Sequence, residues 1–129
     1  MKEGDVFTEK FTVTEKIYNN FIDLFRDRNP MHVNEEFAKN KGFKEKVMHG
    51  NILNGFLSYF VGECLPEKNV IIHTQEIQYK NPVYLNDNLY FQAQITGFFE
   101  SVKAIEFKYV FKNEELKVVA KGKLQIGSL

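Results

Sequence analysis

The chain has no tryptophan, a single cysteine, three prolines and no excess of either charge. Each shortage removes a class of explanation. Cys64 alone cannot close a disulfide within the chain, so a small scaffold held together by cross-links is excluded. Seventeen basic residues balance seventeen acidic ones, which leaves no net field to draw the chain to nucleic acid or an anionic membrane surface. No stretch approaches the ~20 apolar residues of a membrane-spanning helix. The opening MKEGDVFTEKF lacks the continuous apolar core of a secretory leader. A cytoplasmic location is expected, with neither nucleic acid nor membrane as partner.

What the chain does have is aromatic rings, thirteen Phe and six Tyr, within 43% hydrophobic and 26% charged residues. That is globular composition, and 129 residues suit one domain spanning 1–129. The rings can fill a core and still leave apolar surface for a tight dimer face.

Residues 6–13, VFTEKFTV, read as a strand. Thr14 or Thr12 can cap a helix that carries Glu15 in its first turn and Ile17, Tyr18, Phe21, Leu24 and Phe25 at helical spacing. Pro30 forces that helix to stop near Arg26–Arg28 and turns Asp27–His32 into a bend. Asn34 caps a short helix, EEFAKNK, that Gly42 ends. From about Met48 the pairs Ile52/Leu53, Phe56/Leu57 and Phe60/Val61 repeat every four residues, which predicts the longest helix of the chain, stopped by Pro66. After Lys68 the pattern changes to alternation: Ile77 and Tyr79, then Leu89 to Ile95, then Ile105 to Phe111, then KVVAKGKLQI. The turns LNDN and KNEE are short enough to join antiparallel neighbours. The expected architecture is α+β, an antiparallel sheet covering a central helix.

The bend is the chemically loaded segment. Asp, Asn and Pro with a nearby His also make an ordinary turn. Here, however, Asp27 supplies an acceptor and His32 a group that titrates near neutrality, which together can orient and deprotonate a water. His49-Gly50 stands at the start of the long helix, where unpaired backbone amides face outward, and Gly50 lets a ligand oxygen approach them closely.

The string Asp27-Arg28-Asn29-Pro30-Met31-His32, the acid-capped helix after it, and His49-Gly50 opening a long apolar helix together resemble the MaoC-type hydratases. The likeness extends from Val13 to about Asp87, where QYKNPVYLND is similar to that family's strand and turn. The resemblance implies a hot-dog fold and R-specific addition of water to 2-enoyl thioesters, or the reverse dehydration of (R)-3-hydroxyacyl thioesters, as in fatty acid metabolism. It implies that Asp27 and His32 hold the catalytic water, that Asn29 braces the bend, and that the Gly50 amide receives the thioester oxygen. Ser58 falls where these enzymes commonly have a serine near the site. The implied substrate is an acyl thioester of coenzyme A or of a carrier protein, with no cofactor and no metal. The implied assembly is a homodimer or a dimer of dimers. Two features depart from the pattern: Arg26 stands where the family usually has Gly, and the connection from Phe43 to Val47 is lysine-rich.

Two other readings compete. A thioesterase on the same fold would aim water at the carbonyl carbon, and a non-catalytic acyl-thioester binder would keep the scaffold without the reaction. The adjacent Asp27 and His32 favour the hydratase; Arg26 is the best argument for the binder. His32, His49, His73 and Cys64 show no zinc-ligand spacing. Cys64 reads as a core residue, His73 as structural, and His49 as a residue that shapes the helix entrance.

Overall fold

The computed structural model describes residues 1–129. β1 (Val6–Thr12) leads through the Thr14 cap, whose hydroxyl accepts from the Ile17 N–H at 3.2 Å, into α1 (Glu15–Phe25). Two short helices follow, α2 (Pro30–Val33) and α3 (Glu35–Asn40); the Asn34 side chain caps α3, and Gly42 at φ 92° lets the chain leave it. The apolar helix α4 covers Asn51–Tyr59 and continues as a π-helical turn, Phe60–Cys64. Counted with that turn it is the longest helical run, as the four-residue repeat predicts. It starts later than expected, because Met48, His49 and Gly50 lie before its first turn.

The rest is sheet: β2 (Val70–Tyr79), β3 (Asn88–Phe99), β4 (Ala104–Lys112) and β5 (Val118–Ser128). All neighbours are antiparallel, in the order β1-β3-β4-β5-β2. KNEE joins adjacent strands, β4 to β5. LNDN does not, contrary to expectation: β2 pairs with β5 and lies across the sheet from β3. The segment 80–87 is therefore a crossing rather than a hairpin turn. It is tied at one end by Lys80 N–H to the Val119 carbonyl (2.8 Å) and at the other by Asn86 N–H to the Val13 carbonyl (2.8 Å). Its path brings Tyr79 to Val83 over the start of α4.

Alternation sets the inner face of the sheet. Leu89, Phe91, Ala93 and Ile95 of β3, Phe107, Tyr109 and Phe111 of β4, and Leu124 and Ile126 of β5 are buried against Ile52, Leu53, Phe56, Leu57, Phe60 and Val61 of the helix. Phe60 lies 4.9 Å from Phe91 and 5.7 Å edge-on to Phe107, centroid to centroid. Fully burying each such ring stabilises by about 1.5–3 kcal/mol, and the contacts set the height of α4 over the sheet. That height determines where its N-terminal end sits.

Candidate active site

α1 ends because Arg26 turns left-handed (φ 61°, ψ 20°) while its N–H still closes the last helical turn on the Ile22 carbonyl (2.8 Å). A side chain in that conformation costs roughly 1–2 kcal/mol, which glycine avoids. The Asp27 Oδ1 then accepts from the Asn29 N–H (3.1 Å) and the Asn29 Oδ1 from the Met31 N–H (3.0 Å). Pro30 occupies the first position of α2, where its missing N–H would have had no helical partner. The expected bend is therefore confined to the residues before Pro30, and His32 rides on a helical turn.

That turn fixes the His32 ring. Its Nδ1 lies 2.7 Å from the Val47 carbonyl, which can only accept, so Nδ1 carries the proton and Nε2 presents a lone pair. The Tyr18 hydroxyl donates to the His32 carbonyl, and Val47 is itself anchored by its N–H to the Met31 carbonyl (3.0 Å). The His32 Nε2 faces the Asp27 Oδ2 at 3.9 Å. Two acceptors at that spacing are too far apart to bond each other and close enough to share one O–H-bearing molecule.

His49 lies beneath them, 3% exposed. Its Nε2–H donates to the Asp27 carbonyl (2.8 Å), and its ring stacks on that of His32 with centroids 3.9 Å apart and planes at 29°. Its Nδ1 is buried without a partner. Burial lowers the pKa of His49, against an opposing pull from the hydrogen bond to Asp27. Asp27, His32 and His49 bring one potential metal-ligand atom each within 4.8 Å of one another. The His49 Nε2 is committed to the Asp27 carbonyl, so His49 could join a metal only through its buried Nδ1.

The Gly50 and Asn51 N–H groups, at the start of α4, have no acceptor on the backbone or a side chain. A Cβ at Gly50 would fall 2.6 Å from the Tyr79 ring, so the residue must be glycine while that ring stays in place. Tyr79 is held by its hydroxyl, which accepts from the Asn54 Nδ2 (3.2 Å), and Asn54 in turn accepts from the Gln75 Nε2 (2.5 Å). Asp27, His32, Gly50, Phe43, Tyr79 and Val83 are among the walls of a cavity of about 550 Å³. A bare imidazole nitrogen, a carboxylate and two free amides thus converge on one cavity, as proton transfer beside a developing oxyanion requires.

The chain matches the family described as MaoC like domain over residues 2–120. It belongs to that family. The (R)-specific enoyl-CoA hydratase of Rhodospirillum rubrum is 32% identical over 108 residues, covering 84% of this chain and 75% of that protein. A mitochondrial 3-hydroxyacyl-[acyl-carrier-protein] dehydratase of Arabidopsis thaliana is 24% identical, covering 95% and 74%. In structure, the Aeromonas caviae (R)-hydratase involved in PHA biosynthesis superposes with a TM-score of 0.91 at 21% identity, over 100% of this chain and 98% of that one. The fold is the hot-dog fold.

Within this MaoC-like domain the anticipated residues separate into groups. Asp27, His32 and Gly50 share the cavity. Asn29 acts on the backbone of the bend and is not among the cavity walls. Ser58 is exposed on the face of α4 that carries Asn51 and Asn54, two turns beyond Gly50, and lies outside the cavity lining. The Arg26 departure has a backbone explanation: the position is left-handed, and Arg adopts it without Gly. Of the loop lysines, Lys44 and Lys46 lie over the rings of Tyr84 and Tyr18. Cys64 is half-buried, and burial pushes its thiol up to about 11, away from nucleophilic use. His73 is exposed on β2, packed over Gly127.

Val47, Tyr79 and the depth of His49's involvement were missed by reading the sequence. Val47 contributes only a carbonyl, which every residue has, so it left no signal. Tyr79 interrupts the polar run after Ile77 just before the Pro-Val crossing, and could have been picked out by that position. His49 was placed at the helix entrance, but its burial against Asp27 depends on where α1 ends.

Proposed function

We propose that this MaoC-like domain catalyses the reversible, R-specific hydration of 2-enoyl thioesters, with Asp27 and His32 activating water and the Gly50 amide receiving the thioester oxygen. The observation that carries the reading is the pair of opposed acceptors, His32 Nε2 and Asp27 Oδ2, 3.9 Å apart beside an unpaired helix-start amide. A water donating one hydrogen to each acceptor has its oxygen lone pairs turned away from both, toward the cavity. Attack on Cβ moves the π electrons of the enoyl group toward the carbonyl oxygen, giving an enolate. The Gly50 N–H stabilises that charge, by about 3 kcal/mol for one well-aimed donor. The proton taken from the water by the Asp27–His32 pair returns to Cα on the same face.

Atoms and electrons balance without an oxidant or reductant, so no cofactor enters the scheme. The acyl group comes as a thioester of coenzyme A or of a carrier protein, and the cavity of about 550 Å³ suits a small ligand. Asn29 keeps Asp27 and His32 in register through the backbone. A substrate following α4 past Asn54 reaches Ser58. The working unit is a homodimer: β2 is an edge strand with Ile71 and Tyr79 each about half exposed, and pairing it with a second copy would bury that edge. Light scattering at micromolar concentration should give twice the chain mass. The expected location is the cytoplasm.

The test uses crotonyl-CoA. Absorbance of the conjugated double bond should fall without release of free thiol, and (R)-3-hydroxybutyryl-CoA, but not its S isomer, should regain conjugation. Thiol release with the double bond intact would establish a thioesterase instead. No reaction with short or medium chains on either carrier would favour a binding protein over an enzyme.

A further inference from the structure

We infer that His49 is a positioning residue for this reaction, holding the Asp27 backbone with its Nε2–H and the His32 ring with its face. The inference rests on the hydration reading above. Three observations carry it. The His49 Nε2 donates to the carbonyl of Asp27 itself, not to a remote residue of the bend (2.8 Å). The ring lies 3.9 Å from that of His32, close enough to deny it a second orientation. The side chain is 3% exposed with an unpartnered Nδ1, so the protein tolerates a buried, unpaired nitrogen there.

The last point matters most. A buried unpaired acceptor is unfavourable, and an apolar ring would fill the same space without it. The histidine is explained by its other nitrogen. Asp27 has lost helical support, because α1 ended one residue earlier at the left-handed Arg26, and its backbone N–H donates to no group of the chain. The hydrogen bond from His49 is what holds its carbonyl. His32 is fixed at Nδ1 by Val47 and on its face by His49, and Asp27 is held at its carboxylate by the Asn29 N–H and at its carbonyl by His49, so one buried side chain acts on both acceptors of the water. His49 touches no reacting atom in this scheme; Phe21 packs on its ring at 4.7 Å between centroids and backs it from the helix side.

Two substitutions divide the roles. His49→Phe keeps a ring against His32 and loses the donor, whereas His49→Gln keeps a donor near the Nε2 position and loses the ring. With crotonyl-CoA, His49→Phe should lower kcat about 10²-fold, the typical loss for an ångström-scale misplacement, with KM within about twofold. His49→Gln should recover at least about tenfold of that loss, even if its Tm is the lower of the two. A purely structural His49 would make activity follow Tm instead. The imidazole ¹⁵N spectrum of the wild-type chain gives a readout independent of turnover: His49 protonated at Nε2 and His32 at Nδ1. In His49→Leu, which lacks donor and ring, Val47 still sets the His32 tautomer, but the His32 ring signals should broaden as the ring gains a second orientation. Wild-type kcat in folded His49→Phe, or an unchanged His32 signal in His49→Leu, would overturn the positioning role. A wild-type chain inert toward enoyl thioesters would overturn the hydration reading alone, with the ¹⁵N arm still deciding whether His49 fixes His32.

Discussion

The aromatic core under α4 and the polar bend at its N-terminal end are built on opposite terms. In the core Phe60, Phe91, Phe107 and Phe111 have no more than 2% of their surface exposed, and each ring meets several others. Removing one leaves the rest of the cluster in place. At the bend Asp27 is half-exposed, each polar contact is made once, and the candidate site residues Asp27 and His32 are fixed by a few hydrogen bonds, to Asn29, His49 and Val47. The core distributes its contribution over many contacts of similar kind, whereas the bend depends on a few directional ones. Stability and turnover should therefore respond to different substitutions.

The largest test of that division is at the bend. Asp27→Asn and His32→Ala should each lower kcat by about 10²–10⁴-fold, while the cooperative unfolding transition is retained. Wild-type turnover in either folded variant would remove that residue from the mechanism. In the core, Phe107→Ala should reduce unfolding free energy by about 3–5 kcal/mol, measured in urea, and the fraction that stays folded should turn over normally. A fall in kcat per folded site matching that of the bend variants would mean the two regions are not separable.

A smaller effect runs in the opposite direction. Arg26→Gly removes the strain of a left-handed side chain and should stabilise the fold by about 1 kcal/mol, with kcat unchanged. Loss of activity would show that the Arg26 side chain itself shapes the site.

The smallest expected effect is in Tm against pH. Burial holds His49 below its usual pKa near 6.5, so the unfolded chain binds the proton more readily than the folded one. Its contribution to stability is complete above about pH 6.5 and is lost as the pH falls from there through the lowered folded value. His49→Phe should flatten that part of the profile. Parallel curves would mean that His49 is not held neutral by the fold.

Much of this arrangement was legible in the residues. Pro30 marked a break in the helical pattern, the four-residue apolar repeat marked α4, alternation marked the strands, and the Asp27-to-His32 string with His49-Gly50 marked the segment with the chemistry, with hydratase favoured over thioesterase and binder. These are local matters: ring closure at proline, helical and strand periodicity, and the donors and acceptors each side chain carries. LNDN misled because its letters describe a turn equally well whether the flanking strands pair or not; only the pairing of β2 with β5 made the segment a crossing and brought Tyr79 over Gly50. Which nitrogen of His32 is bare, and that His49 lies stacked beneath it, were also decided by tertiary structure. A tautomer is set by whichever group meets the other nitrogen, here a carbonyl 15 residues away in the chain, and stacking is set by where two separate segments are brought together by the core.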